Sequence, residues 1–368
     1  MNTERWIAAS APGKAVLLGE YAVLEGAPAL VMAVPVRAVV KVRATGDRLC
    51  TLEAPDLGVR GQRFHFDRTR VRWVPRPAPP VAARLRVLGA VLSDQQLRAP
   101  GGVGSCAIET DTRAFVSPAG VKFGFGSSAA VAAAAWAALT ALADGRPPSP
   151  AAVLAAVLEA HRAAQRGAGS GVDVAASCLG GVLEYRLEGR GRRRRLECRR
   201  VAWPERLRIV AIHTGEAAST PEFVRLVREL ARRDRTAYRE LMSALAELAR
   251  AGCAAVQHGD MQALLATSRA YCGLMGELGR RSGADILSAA HLRVQALVER
   301  EGAAYKPSGA GGGDFGVALT EHEAVAARVR AAAAAAGLSA MDLVPDPRGV
   351  EVALPRPADE RPEGVVGG

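Results

Sequence analysis

The sequence predicts an α+β protein built as two lobes. With 368 residues, 49% of them apolar and 23% charged, the chain can bury more than one core. Up to about Thr112 it is dominated by short β-like runs, whereas Ala-rich helical sequence begins at Ser127. Past Pro204 a strand, a long helical stretch and further strands form a second α+β unit.

The first lobe is assigned to residues 1–204. Residues 15–18, 30–42 and 107–110 read as strands, aliphatic and β-branched runs between turn formers. A helix is expected over residues 81–92, entered after the breakers at 75–80. Residues 127–142 are Ala-rich and strongly helix-forming, and Asp144-Gly145-Arg146-Pro147-Pro148 stops them. Ser149 caps a second helix to about Arg166, with Pro150 in its first turn. The tract 167–171 breaks that helix, and Asp173 opens a short third one ending at Gly180-Gly181. Two strands follow, at 182–187 and 196–201. The second lobe, 205–355, reads as a strand (207–213), helices through 221–301, a strand, a Gly-rich loop, a strand (315–319), a helix to Ala336 and two short strands near Leu343 and Val352. Residues 356–368 are rich in Pro, Glu and Gly and read as a flexible tail.

Composition excludes several classes. The net charge is +11, and the densest basic run is Arg190-Gly191-Arg192-Arg193-Arg194-Arg195. No aromatic residue interleaves these arginines to stack bases, so they read as a solvated turn between strands. Six cysteines without a CxxC pair and six histidines without HExxH suggest neither a disulfide framework nor a transition-metal site. The N-terminus lacks a signal-peptide layout and no apolar run reaches bilayer length, so a cytoplasmic protein is expected.

Lysine usage points to the chemistry. Of 48 basic residues only Lys14, Lys41, Lys122 and Lys306 are lysines, and three of the four sit in Gly-rich segments. A compact ammonium kept where arginine otherwise prevails suits phosphate, which it meets as a point charge. Pro12-Gly13-Lys14 runs into a strand that would hold Lys14 at its mouth, although alone it reads as a strand-end surface charge. Lys122-Phe123-Gly124-Phe125-Gly126-Ser127-Ser128 ends where the Ala-rich helix begins, so backbone N–H groups and the positive helix end converge on an anion. A Ser-capped helix after a loose turn is the alternative. Gly124, Gly126 and Ala129 also fit a dinucleotide fingerprint, but Ser117-Pro118-Ala119-Gly120 stands where that motif needs an apolar strand. Gly169-Ser170-Gly171-Val172-Asp173 sets an acid at a helix start, as a cap or as a site carboxylate that Lys14 would keep ionised. The third loop carries Gly309, Gly311, Gly312 and Gly313 between two strands, a density that points to close approach of a ligand, with Lys306, Ser308 and Asp314 at its rim.

Taken together and in this order, these segments resemble the signature motifs of the GHMP kinase superfamily of small-molecule kinases, over nearly the whole chain. Within it they are most like phosphomevalonate kinases, with mevalonate kinases next. Gly19-Glu20-Tyr21 has Tyr where mevalonate kinases typically show His, Lys122 precedes the Gly-Phe-Gly-Ser-Ser run, and Asp314 follows three glycines. Thr214-Gly215-Glu216-Ala217-Ala218-Ser219-Thr220 is similar to a substrate-side segment of that family.

The resemblance implies an α+β fold with the active site between two lobes and a left-handed βαβ unit in the N-terminal lobe, against the general handedness rule. It implies ATP and Mg²⁺, with Lys122, Gly124, Gly126, Ser127 and Ser128 at the nucleotide phosphates and Ser128 as metal ligand. Lys14 and Asp173 would be catalytic. Ser170, Ser219, Thr220 and Ser308 would meet the acceptor, together with Lys306, Gly311, Gly312 and Asp314. Mevalonate kinases carry a metal-binding Glu where this chain has Arg162, which leaves a second metal ligand unassigned. The implied activity is ATP-dependent phosphorylation of phosphomevalonate to 5-diphosphomevalonate. The alternatives are mevalonate as acceptor and a non-catalytic ligand- or RNA-binding protein. The expected partner is a phosphorylated small molecule, with no nucleic acid, no membrane, and a homodimer left open.

Overall fold

The computed structural model describes residues 5–67, 70–98, 104–117, 121–165, 169–189, 195–216 and 220–355. The chain opens with a long antiparallel pair, β1 (Ile7–Leu18) and β2 (Ala29–Ala44). There follow β3 (Cys50–Ala54), β4 (Val59–Asp67), β5 (Arg70–Val74), α1 (Pro79–Arg84), α2 (Arg86–Arg98) and β6 (Cys106–Asp111). The helix expected over 81–92 is thus two, meeting at the buried Leu85. α3 (Ser127–Asp144), α4 (Pro150–Ala164), α5 (Val172–Leu179), β7 (Val182–Glu188) and β8 (Arg195–Val201) complete the first lobe's run. Ser149 caps α4 as expected, its hydroxyl accepting from Ala152 N–H at 3.2 Å. Of the basic run, only Arg195 lies within the described residues.

The second run comprises β9 (Arg208–His213), α6 (Thr220–Arg233), α7 (Arg235–His258), α8 (Met261–Ser282), α9 (Ala289–Arg300), β10 (Ala304–Pro307), β11 (Phe315–Thr320), α10 (Glu323–Ala335), β12 (Ala340–Leu343) and β13 (Glu351–Ala353). Two sheets result. The larger runs β13-β1-β2-β6-β3-β4-β5, with β7 also on β2 and β8 on β7; the smaller runs β10-β11-β9-β12. β2 is long enough to take β6 along Val39–Ala44 and β7 along Ala29–Met32. β3 and β6 are parallel, and the remaining pairs are antiparallel. β13 differs from expectation: it leaves the second run and pairs with β1, Ala8 opposite Ala353. Arg37 fixes that return, its guanidinium reaching Asp346 at 2.6 Å and the Gly349 carbonyl at 2.8 Å.

α3 packs on β1 and β2, and its alanines allow that approach on several sides at once. It is also the one helix among the described residues whose length and apolarity match a bilayer, contrary to the reading of the sequence, but 61% of it is buried inside the protein. A helix apolar all round can serve as a core helix in this way. Side chains from both lobes join one core, from Leu18 and Phe125 to Tyr271, Ile286 and Phe315.

Candidate active site

The site is built where β1, the start of α3, the start of α5 and the β10–β11 loop meet. Lys14 lies inside β1, not at its mouth, next to a register shift between Pro12 and Gly13. Its N–H donates to the Phe125 carbonyl (2.8 Å) and its ammonium to the Gly124 carbonyl (3.3 Å), so strand and glycine loop are bonded directly. Gly13 has no room for a side chain: a Cβ there would lie 2.7 Å from the Phe125 carbonyl oxygen. Burial pushes the Lys14 ammonium below the ordinary lysine range, while Asp173, then Asp314 and Glu20, pull it back up.

Gly126 caps α3 with φ 78°, and a Cβ there would meet Lys14 Cγ at 3.3 Å and Asp173 Cβ at 3.9 Å. Glycine therefore brings loop, ammonium and carboxylate together. Ser127 and Ser128 open α3, with Ser128 exposed. Asp173 is the second residue of α5; its Oδ1 accepts from Val174 N–H at 2.9 Å, while Oδ2 lies 3.6 Å from His161 Nε2. The Ser170 carbonyl accepts from the Tyr185 hydroxyl (2.5 Å), which holds the turn into α5.

A cleft of about 190 Å³ opens over these groups, lined among others by Lys14, Glu20, Tyr21, Ser170, Asp173 and Thr220. Gln165, Gly309 and Ala310 also face it. Lys14, Asp173, Ser170 and Thr220 are thus brought to one cavity. Ser219 lies outside the described residues. The Lys122 side chain is exposed, and its carbonyl accepts from His213 Nε2–H at 2.9 Å.

The third loop departs most from expectation. Lys306 is fully buried and bonded to Glu20 (2.5 Å) and the Pro307 carbonyl (2.6 Å), so its charge is neutralised inside the protein and does not line the cleft. The Ser308 hydroxyl accepts from Val16 N–H and donates to the Val16 carbonyl, both at 3.0 Å, which leaves it a joint between the lobes. Gly311 and Gly312 permit close approach, but of the protein itself: side chains there would collide with Ile286 and Phe223. Asp314 packs against Gly124, on the side of the glycine loop. The Tyr21 hydroxyl, bonded to the Ala310 carbonyl at 2.5 Å, adds a further joint. Sequence reasoning did not select Glu20, His161 or His213 for the site; the Gly-Glu-Tyr motif was the available signal for Glu20 only.

No group of three or more His, Cys, Asp or Glu side chains among the described residues is placed to hold a metal. Position 162, where the resemblance implies a metal-binding Glu, presents a guanidinium with Nη2 buried and unpartnered. Serine hydroxyls at the start of α3 fit Mg²⁺ that arrives on a nucleotide, because this ion keeps mostly water and phosphate ligands.

Residues 90–181 match the GHMP kinases N-terminal domain. The phosphomevalonate kinase of Streptomyces sp. strain CL190 is 30% identical over 344 residues, 87% of this chain and 91% of that protein. The mevalonate kinase of Pyrococcus abyssi is 29% identical over 61% of this chain and 62% of its own length. The structure of Streptococcus pneumoniae phosphomevalonate kinase in complex with phosphomevalonate and AMPPNP superposes with a TM-score of 0.72, covering 91% of this chain and 99% of that one at 18% identity. A glycine loop at a helix start, an ammonium bonded to it and a carboxylate beside it thus sit in a chain that aligns along most of its length with a kinase, and the chain belongs to the GHMP kinase family.

Proposed function

We propose that the chain is an ATP-dependent phosphomevalonate kinase, transferring the γ-phosphoryl group of ATP to 5-phosphomevalonate to give 5-diphosphomevalonate. The observation that carries this reading is the placement of Lys14. Its ammonium donates to the Gly124 carbonyl of the glycine loop and lines the cleft together with Asp173. Identity to a phosphomevalonate kinase along 87% of the chain supports the choice of acceptor.

Phosphoryl transfer through a loose transition state needs positioning and charge neutralisation more than covalent help. The phosphate of the acceptor, with a second pKa of about 6, is largely a dianion at pH 7 and needs no base. Asp173 then orients Lys14, and Lys14 offsets the repulsion between two polyanions. Backbone N–H groups at the start of α3, with Gly124 and Gly126, receive the ATP phosphates. Ser128 would hold the Mg²⁺, which neutralises charge on the transferring group. Ser170 and Thr220 line the same cleft and would meet the acceptor. Residues 1–204 act as the nucleotide lobe, completed by β13, and 205–355 as the second lobe.

A second reading, mevalonate as acceptor, is supported by the match to an archaeal mevalonate kinase. There Asp173 would take the proton of a neutral hydroxyl as it attacks. ADP release measured in parallel with phosphomevalonate, mevalonate, homoserine and galactose decides. The expected result is turnover with phosphomevalonate at least about tenfold above the others in kcat/KM. Turnover with none of them, alongside salt-sensitive RNA binding, refutes the kinase reading.

A further inference from the structure

We propose that Asp314 is a positioning residue for the Lys14 ammonium, acting on it from the second lobe as Asp173 does from the first. The inference rests on the role given to Lys14 above.

Both groups converge on Gly124. Lys14 Nζ donates to its carbonyl at 3.3 Å, and a Cβ on Gly124 would lie 2.5 Å from Asp314 Cβ and 2.9 Å from Oδ2. Asp314 is therefore stacked on the residue whose carbonyl the ammonium grips. Its backbone is held at φ 56°, one of two positive-φ non-glycine residues among those described; the other, Tyr21, lines the cleft. Such a conformation persists only where its surroundings enforce it. Here the Asp314 N–H donates to the Glu216 carbonyl (2.7 Å) and its own carbonyl accepts from Thr214 N–H (2.9 Å) and Oγ1–H (3.1 Å). His291 Nε2–H donates to the neighbouring Gly313 carbonyl at 3.1 Å. The backbone at Asp314 is thus held by bonds to the segment after β9 and, through Gly313, to α9.

The charged groups that act on Lys14 are Asp173 from α5, Asp314 from the third loop, Glu20 from the β1–β2 connection and Lys306 from β10. Glu20 is committed to Lys306 at 2.5 Å. Asp173 and Asp314 act on the ammonium from the two lobes, and the loop that carries Asp314 comes close to it, since a Cβ on Gly309 would lie 3.7 Å from Lys14 Nζ.

The chain's four lysines make the test direct. Protein labelled with ¹³C at lysine Cε gives one signal per lysine, and Lys14→Arg assigns the one of interest. Asp314→Asn keeps the shape and tolerates positive φ. We expect the Lys14 titration midpoint to fall by about one pH unit in Asp314→Asn, because a carboxylate that favours the charged form is gone. The Lys41 signal stays put. In turnover, kcat falls about tenfold while both KM values stay within about threefold. An unmoved Lys14 midpoint overturns the proposal, and so does a loss confined to the acceptor KM, which would make Asp314 an acceptor contact. Asp314→Gly, which relieves the positive φ, supplies the same titration should the Asn variant not fold. The titration uses no substrate: a shifted midpoint in a protein that turns over no acceptor upholds the Asp314–Lys14 link and refutes the functional reading alone.

Discussion

Lys306→Met probes the reassignment of a lysine from the acceptor site to the interior. The two side chains of the Lys306–Glu20 pair are 0% and 3% exposed, and Nζ to Oε1 is 2.5 Å. Glu20 Oε1 also accepts from Gly309 N–H at 3.3 Å, while Oε2 has no partner at all. Removing the ammonium strands an ionised carboxylate in the interior, which costs about 3–5 kcal/mol. Replacing both, as Glu20→Leu with Lys306→Met, removes both desolvation penalties and brings stability back to within about 1 kcal/mol of the parent. In urea unfolding, with a slope of about 3 kcal/mol per molar, the single variant shifts the midpoint down by about 1–1.7 M and the double variant restores it. A single variant within about 1 kcal/mol of the parent would refute the reasoning. It would mean that Lys306 reaches solvent and is free for an acceptor, as the motif alone suggested.

Lys14→Met should lower kcat by about 100-fold or more with a smaller change in KM, whereas Lys41→Arg, exposed on β2, should leave both unchanged; steady-state kinetics checks the pair. Asp173→Asn should keep substantial turnover with phosphomevalonate, within about 100-fold of the parent, because that acceptor needs no base; loss of nearly all rate would favour a hydroxyl acceptor. Gly124→Ala should abolish turnover by about 100-fold or more, since its φ of 79° and the 2.5 Å approach of Asp314 Cβ leave no space for a methyl group. His291 gives a pH signature. Its ring is buried and neutral, Nδ1 accepting from the Tyr305 hydroxyl at 2.7 Å, and burial lowers its pKa from 6.5 to about 4. The unfolded chain takes up that proton first, so the contribution is complete above about pH 6.5 and is lost as pH falls toward 4. It amounts to about 3 kcal/mol, and His291→Gln should flatten that part of the stability profile.

The sequence by itself determined the helices α3 and α4 and the glycine loop that leads into α3. Those features are local: Ala-rich propensity and the Asp144-Gly145 stop define α3, Ser149-Pro150 starts α4, and Gly124 and Gly126 free the backbone that leads into a helix N-terminus. The motif order also picked out Lys14 and Asp173, which the fold brings to one cleft. Only the tertiary structure decided what the third loop does. Gly311 and Gly312 read as openings for a ligand, yet Ile286 and Phe223 fill the space. Lys306 and Ser308 read as rim groups, yet they are bonded to Glu20 and Val16, nearly three hundred residues away in sequence. β13 likewise belongs to the first sheet because β1 has a free edge there, which no pattern near Val352 records. A polar side chain looks the same in sequence whether it faces solvent or a buried partner. The difference lies in which distant segment desolvates it, and that is settled only when the lobes pack.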